Sequence, residues 1–349
     1  MRIPVGVLGA TGAVGQRFVQ LLAGHPLFEV AELAASDRSA GRLYSEATIW
    51  RLPGGPPPEA ARLLLTNCDG PFRSRLLFSG LDSSVAGEIE TRLADSGHAV
   101  VSNARNHRMA ADVPLLIPEI NPDHLDALSL QRMRTGGGYV VTNPNCSVVG
   151  LALALAPLER AFGIASVHVV TLQALSGAGY PGVASMDIAD NVIPFIGGGE
   201  EEKIESEPRK ILGRWNGGGF EVAAFPISAC VHRVDVSDGH TMAAFVQFKR
   251  SVAPDQAMET LARFRGEPQE RRLPSAPERP IHVLPEADRP QPRLDRDRER
   301  GMAVSVGRVR ADGERGLKLE ALVHNTVRGA AGAAILNAEL LHARGLLPS

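Results

Sequence analysis

Of the three cysteines in the 349 residues, Cys146 stands where a thiol could serve as a nucleophile. It closes Asn143-Pro144-Asn145-Cys146 and opens the apolar run Ser147 to Phe162. Pro144 fits poorly inside a helix, Asn145 is a good N-cap, and the residues from Ser147 read as a buried helix. The Cys146 sulfur then lies in the first helical turn. Unpaired N–H groups and the positive dipole end there favour thiolate over thiol, and a thiolate attacks acyl carbon. The competing reading is a small core residue at a loop–helix junction, since free cysteine is often buried and inert. An acyl-transfer site also needs an acid or base and an anchor for substrate charge. Arg233 and His240 stand seven apart, and His240 follows the Asp238-Gly239 turn. A strand starting at His240 would leave its imidazole exposed and positioned for proton transfer. His232 is an equally plausible imidazole, and the sequence does not separate the two.

A second constellation lies at the start of the chain. Ile3 to Leu8 reads as a buried strand, and Gly9-Ala10-Thr11-Gly12-Ala13-Val14-Gly15 follows. Phe18, Val19, Leu21 and Leu22 then recur at helical spacing. Strand, glycine turn and helix is the setting a dinucleotide fingerprint needs, here in a GxxGxxG variant. The turn brings backbone to a pyrophosphate, which the helix N-terminus binds. Gly9, Thr11, Gly12, Ala13 and Val14 are the expected contacts. A second strand, Glu29 to Ala35, ends in Ser36-Asp37-Arg38-Ser39, about 20 residues on, where the cofactor ribose is read. Arg38 with Ser36 and Ser39 resembles a phosphate cradle, which predicts NADP rather than NAD. The plainer reading is a solvated polar turn.

The elements that must hold these residues fall into two textures. Up to Cys146, short strands (Arg75 to Ser79, Ala99 to Ser102, Val113 to Ile117, Tyr139 to Thr142) alternate with helical segments such as Val85 to Leu93. That pattern argues a doubly wound α/β domain. Beyond the Cys146 helix, Val167–Gln173, Met242–Phe248, Ala303–Val309 and Leu317–Val323 alternate apolar and polar residues, as in a sheet covered on one face. Antiparallel strands with long connections suggest an α+β second domain. Pro268 to Pro292 reads as an ordered excursion or interface arm. The small-residue helix from Gly329 to Leu341 is expected to pack back on the first domain.

Composition narrows the function classes. The formal net charge is -2 and no basic run carries interleaved aromatics, which argues against nucleic acid as a partner. Cys68, Cys146 and Cys230 cannot form a disulfide framework, and neither they nor the ten histidines show metal-ligand spacing. Met1 leads almost at once into a strand-like run, and no apolar run reaches the ~18 residues of a membrane span. The expectation is a cytoplasmic protein with no metal.

Taken in order, Gly9–Gly15, Asn143-Pro144-Asn145-Cys146, Gln173-Ala174-Leu175-Ser176-Gly177-Ala178-Gly179, Glu200–Lys210 and Arg233 with Asp238-Gly239-His240 resemble the aspartate-β-semialdehyde dehydrogenases. Ala34–Gly41 and Arg289–Asp295 are similar to the archaeal and fungal branch of that family. The resemblance covers essentially the whole chain. It implies a Rossmann-type NADP-binding domain (1–145 with 326–349) and an α+β catalytic and dimerisation domain (146–325). It further implies a Cys146 thioester, with Asn145 beside it, Gln173 orienting it and His240 as acid/base. Arg233 would hold the substrate α-carboxylate, Glu200 its ammonium, and Arg108 with Lys203 the phosphate. Within Glu200–Glu202 the ammonium partner stays open. Ser176, Gly177, Asn325 and Thr326 would touch the cofactor. The implied reaction is NADPH-dependent reduction of L-aspartyl 4-phosphate in a homodimer or homotetramer. Another acyl reductase on this scaffold, such as a malonyl-CoA reductase, is the rival. A non-catalytic NADP-binding protein would have no use for Cys146 and His240 together.

Overall fold

Ile3–Leu8 (β1) buries its last four residues and feeds the glycine turn and the helix Ala13–Leu22. In the computed structural model, which describes residues 2–348, β1 is central to a six-stranded sheet. The other strands are Phe28–Ala35 (β2), Leu65–Asn67 (β3), Leu76–Ser79 (β4), Ala99–Ser102 (β5) and Tyr139–Thr142 (β6). Their order is β3-β2-β1-β4-β5-β6, with every pairing parallel. β4, β5 and β6 are buried at every residue, as strands covered on both faces must be. This is the doubly wound order, and its ligand crevice lies where the order reverses, at the carboxyl ends of β1 and β4. The glycine turn occupies that point. A Cβ on Gly15 would meet the Gly9 carbonyl oxygen at 2.1 Å, so the helix can sit this close to the turn only without a side chain there.

Val113 to Ile117, expected as a strand, makes a single bridge from Leu115 to Thr142. Pro114 lacks an N–H and Pro118 follows closely, so the segment cannot extend a ladder.

The second sheet has seven strands: Ile164–Gln173 (β7), Ile193–Pro194 (β8), Ile227–Arg233 (β11), His240–Phe248 (β12), Ile281–Leu284 (β13), Val304–Ala311 (β14) and Gly316–Val323 (β15). Arg214–Trp215 (β9) and Phe220–Glu221 (β10) form a separate small ribbon. The order is β13-β14-β15-β12-β7-β11-β8. The β14-β15-β12-β7 run is antiparallel, but β7/β11 and β13/β14 are parallel, so the sheet is mixed. Parallel neighbours need a crossover, and the helix Glu200–Ile211 lies on the one between β7 and β11. The Pro-rich stretch after residue 268 is ordered and contributes β13 to the sheet edge.

The helix Cys146–Phe162 joins the two sheets. Its residues Ser147 to Leu158 are all buried, and it packs into the core beneath β7, β12 and β15. A helix apolar on all sides has no face to give to water. After β15 the chain makes a π-helical turn, Val327–Ala331, and ends in the helix Gly332–Ala343. Ile335, Leu336, Leu340 and Leu341 of that helix share a core with Val5, Val7 and Phe78 of the first sheet.

Replacing Gly15 by Ala should force the glycine-turn helix off β1. The overpacking should cost roughly 1–3 kcal/mol. A lower urea midpoint with weakened NADP binding is the expected result, and an unchanged midpoint would contradict the close approach.

Candidate active site

Asn145 caps the Cys146 helix, its Oδ1 accepting from the Ser147 N–H at 3.0 Å. Cys146 is the first helical residue, and its Sγ lies 3.1 Å from Nε2 of His240. The pleat explains why His240 rather than His232 reaches the sulfur. β11 and β12 flank β7, with Arg233 paired to Gln173 and Thr241 paired to Leu172. Gln173, Arg233 and His240 therefore point inward from three adjacent strand ends and are buried. His232, paired with Leu172, faces the other side of the sheet. His240 is 0% exposed, contrary to the exposed imidazole expected, because its strand lies in the sheet interior between β7 and β15. Its Nδ1 accepts from the Ala174 N–H at 2.9 Å, which favours the ring with its proton on Nε2, facing the sulfur.

Burial and charge set the resting state of this pair. Cys146 keeps a partly open patch toward the cleft, but the protein packed around its sulfur, and then the Glu200 carboxylate, push the thiol up to about 12. Arg108, Lys203 and Arg233 pull it the other way. Burial, then Arg233 and His324, push the His240 imidazole down to about 3. The resting pair is thus a neutral thiol against a neutral ring. Desolvation of the charge opposes the thiolate expected at the helix start.

The remaining charges converge on the same point. Glu200 accepts from Asn145 Nδ2 at 2.9 Å and from Gln173 Nε2 at 3.4 Å, and it pairs with Lys203 one turn along its helix. Glu201 instead accepts from the Val231 N–H and Glu202 is exposed, so among the three glutamates only Glu200 joins this cluster. Arg233 Nη1 donates to the Ala174 carbonyl at 2.6 Å. Arg108 is buried, donating to Glu207 at 2.9 Å and to the Asn103 carbonyl at 2.7 Å. A Cβ on Gly177 would meet Arg233 Nη1 and His240 Cε1, both at 2.9 Å, so this glycine closes over the site.

The dinucleotide face lies alongside. Gly9, Thr11, Gly12, Ala13 and Val14 form the turn and first helical residues after β1, and Ser36, Arg38 and Ser39 follow the neighbouring β2. The helix starting at Ala13 has no side-chain cap and no acid in its first turn, so its N–H groups remain available to an anion. Arg38 is exposed beside it. Asn325 donates to Ser176 Oγ at 2.8 Å and accepts from the Gly239 N–H at 2.9 Å, tying the loop that carries Gly177 to the turn before His240. The buried Thr326 hydroxyl has no protein partner. These features fit NADP.

Three contributors escaped the sequence reading. Asn143 Nδ2 donates to Asn103 Oδ1 and the Ala330 carbonyl, at 2.8 and 2.9 Å, while its Oδ1 accepts from Asn337 at 2.6 Å. Gly329 abuts Cys146, where a Cβ would come within 2.8 Å of the cysteine's own. Glu207 joins Arg108 to the Asn145 N–H. Of these, Glu207 left a signal, because it lies seven residues after Glu200 and so on the same helical face.

A doubly wound nucleotide sheet, a mixed second sheet and a cysteine–histidine pair at their junction define a two-domain dinucleotide-dependent dehydrogenase. Profiles of two families match the chain: "Semialdehyde dehydrogenase, NAD binding domain" over residues 4–128 and "Semialdehyde dehydrogenase, dimerisation domain" over residues 155–328. The chain is 51% identical over 343 residues to the aspartate-semialdehyde dehydrogenase of Archaeoglobus fulgidus, covering 98% of each. It is 50% identical to that of Schizosaccharomyces pombe, covering 98% of this chain and 99% of the relative. The crystal structure of the Candida albicans aspartate semialdehyde dehydrogenase with NADP superposes with a TM-score of 0.91 at 42% identity, covering 99% of this chain and 100% of that one. The chain belongs to the aspartate-semialdehyde dehydrogenase family, with archaeal and fungal members among its relatives.

Because Glu200 raises the Cys146 thiol, Glu200→Gln should lower it. Iodoacetamide should then alkylate Cys146 roughly two- to tenfold faster near neutral pH, with the pH–rate midpoint moved to lower pH. A midpoint that stays put or rises would contradict this account of the site.

Proposed function

We propose that the chain reduces L-aspartyl 4-phosphate reversibly to L-aspartate 4-semialdehyde and phosphate, with NADPH as reductant, in the biosynthesis of lysine, threonine and methionine. The observation that carries this reading is charge matching around Cys146. The substrate has an α-carboxylate, an α-ammonium and a phosphoryl dianion. Arg233 suits the first, Glu200 the second, and Arg108 with Lys203 the third.

In the forward direction the Cys146 sulfur passes its proton to Nε2 of His240, in the ring form that carries its other proton on Nδ1, and bonds to the acyl carbon. The bond from that carbon to the phosphate oxygen breaks, and phosphate leaves toward Arg108 and Lys203. Arg108, Lys203 and Arg233 all favour the thiolate. Gln173, at the end of β7, would orient the thioester. Bound NADPH supplies the hydride that reduces it. His240 would meet the resulting oxyanion with its Nε2–H. Accepting a proton at Nε2 costs the Ala174 bond, since the ring must then carry its proton on Nδ1. Breaking the carbon–sulfur bond releases the aldehyde and restores Cys146.

The cofactor would lie on the turn Gly9 to Val14, with Ser36, Arg38 and Ser39 at the 2′-phosphate and Ser176, Gly177, Asn325 and Thr326 near the nicotinamide. Residues 1–145 with 326–349 serve the cofactor in this reading, and 146–325 serve catalysis and assembly. The outer face of the second sheet leaves Leu172 and Phe245 exposed and would pair copies of the chain as a homodimer or homotetramer. A free catalytic thiol suits the reducing cytoplasm. A malonyl thioester lacks the ammonium and would give the Glu200 carboxylate no substrate charge to meet.

Oxidation of aspartate semialdehyde, followed as NADP reduction, should require phosphate, and Cys146→Ala should abolish turnover while still binding NADP. Arg233→Ala should lose roughly one to four decades in kcat/KM for the semialdehyde. Faster reduction of malonyl-CoA, or no dependence on phosphate, would overturn the assignment. Arg38→Ala should weaken NADP more than NAD, and equal losses for both cofactors would remove Arg38 from the 2′-phosphate site.

A further inference from the structure

Glu207 is 1% exposed and makes two bonds that reach different parts of the site. Its Oε1 accepts from Arg108 Nη1 at 2.9 Å, and its Oε2 accepts from the backbone N–H of Asn145 at 2.6 Å. Asn145 is the cap of the Cys146 helix. One carboxylate therefore connects the cation assigned to phosphate with the backbone beside the nucleophile. Glu207 shares a face of its helix with Glu200, Lys203 and Lys210. Lys210 Nζ donates to the carbonyls of Arg108, Ala110 and Val113, each at 2.8 Å. That loop is held by its main chain at Lys210 and by its arginine side chain at Glu207.

The bonds of the guanidinium show what this achieves. Glu207 takes Nη1 and the Asn103 carbonyl takes Nη2, while the buried Nε–H of Arg108 has no protein partner. A guanidinium is a planar fork, so fixing two nitrogens fixes the direction of the third. An arginine held on one side only would swing among rotamers and lose entropy on meeting each phosphate.

We propose that Glu207 is a positioning residue for phosphate: it aims Arg108 at the departing or attacking phosphate and locks that cation to the N-terminus of the nucleophile's helix. It touches neither substrate nor cofactor and acts through Arg108. This rests on the reading of phosphate as co-substrate given above.

The test is a double-mutant cycle on the full-length chain, measuring initial rates of semialdehyde oxidation at varied phosphate and varied NADP. Glu207→Gln keeps an oxygen for the Asn145 N–H but turns an amide N–H₂ toward Arg108. It should raise the KM for phosphate about tenfold or more while the KM for NADP moves less than about twofold. Glu207→Asp, which restores the charge, should recover part of the loss. In an Arg108→Gln background, adding Glu207→Gln should change the phosphate KM by less than about twofold, because the group it acts through is gone. If Glu207→Gln does not fold, Glu207→Asp alone and in the Arg108→Gln background carries the same comparison. Equal rises in both KM values, or full additivity with Arg108→Gln, would overturn the role. A wild-type enzyme that ignores phosphate would overturn the function itself, and this role with it. Phosphate dependence in the wild type combined with an additive cycle would overturn only the role of Glu207.

Discussion

The site depends on a buried stitch between the two places where the chain crosses from one sheet to the other. The first crossing runs from β6 through Asn143 to Cys146, and the second runs from β15 through Asn325 to the closing helix. Asn143 bonds both, through the Ala330 carbonyl and Asn337, and it also holds Asn103 beyond β5. Gly329 lets the second crossing lie directly on Cys146. A buried amide bonded as Asn143 is costly to disturb, because losing one partner leaves the others unsatisfied. The nucleophile is therefore held by both sheets at once, and neither can shift without moving it.

That packing dries the site, and dryness sets its electrostatics. A buried thiol and a buried imidazole both resist charge, which is why Cys146 and His240 rest as a neutral pair. Two of the ionic groups nearby lie against an opposite charge. Glu200 has Lys203, and Arg108 has Glu207. On the far side of the Gly329 turn, Arg328 and Glu119 pair at 2.6 Å in full burial. Buried pairs of this kind contribute little net stability, and breaking one costs about 3–5 kcal/mol. Their value lies in direction: donors and acceptors stand fixed before the substrate arrives, so little reorganisation is left for the reaction.

Much of this was legible in the sequence, and the failures have physical causes. The strand–glycine turn–helix unit and the capped Cys146 helix announce themselves, because backbone sterics and capping are local. The alternating strands of the second sheet were legible for the same reason, whereas its mixed pairing was not. Nothing in Ile227–Arg233 itself says that it lies parallel to β7. Choosing between His232 and His240 needed the register of two strands on a third. The exposed imidazole expected from a turn-proximal histidine was wrong because exposure follows from the strands on either side, which are distant in sequence. The thiolate expected at Cys146 meets an opposing effect that the sequence could not show, since the dipole is local while desolvation belongs to the assembled site. Asn143 was visible as a residue but its partners Asn103, Ala330 and Asn337 are 40 or more positions away.

The Glu200–Ile211 helix shows why a rigid element serves here better than a loop. Its charged residues at 200, 203, 207 and 210 lie on one face over about 15 Å. Along that line they meet Asn145 and Gln173, then Arg108 and the Asn145 main chain, then the carbonyls of the Arg108 loop. Ile204 and Ile211, on the adjoining stripe, are 0% exposed and seat the helix in the core of the second domain. The acidic first turn and basic last turn oppose the helix dipole favourably at both ends. Spacing between the groups is then set by helical rise rather than by side-chain flexibility. A shift of the helix would displace the partner of the Cys146 cap and the partner of Arg108 together, so the geometry around the nucleophile and around the phosphate cation is a single quantity.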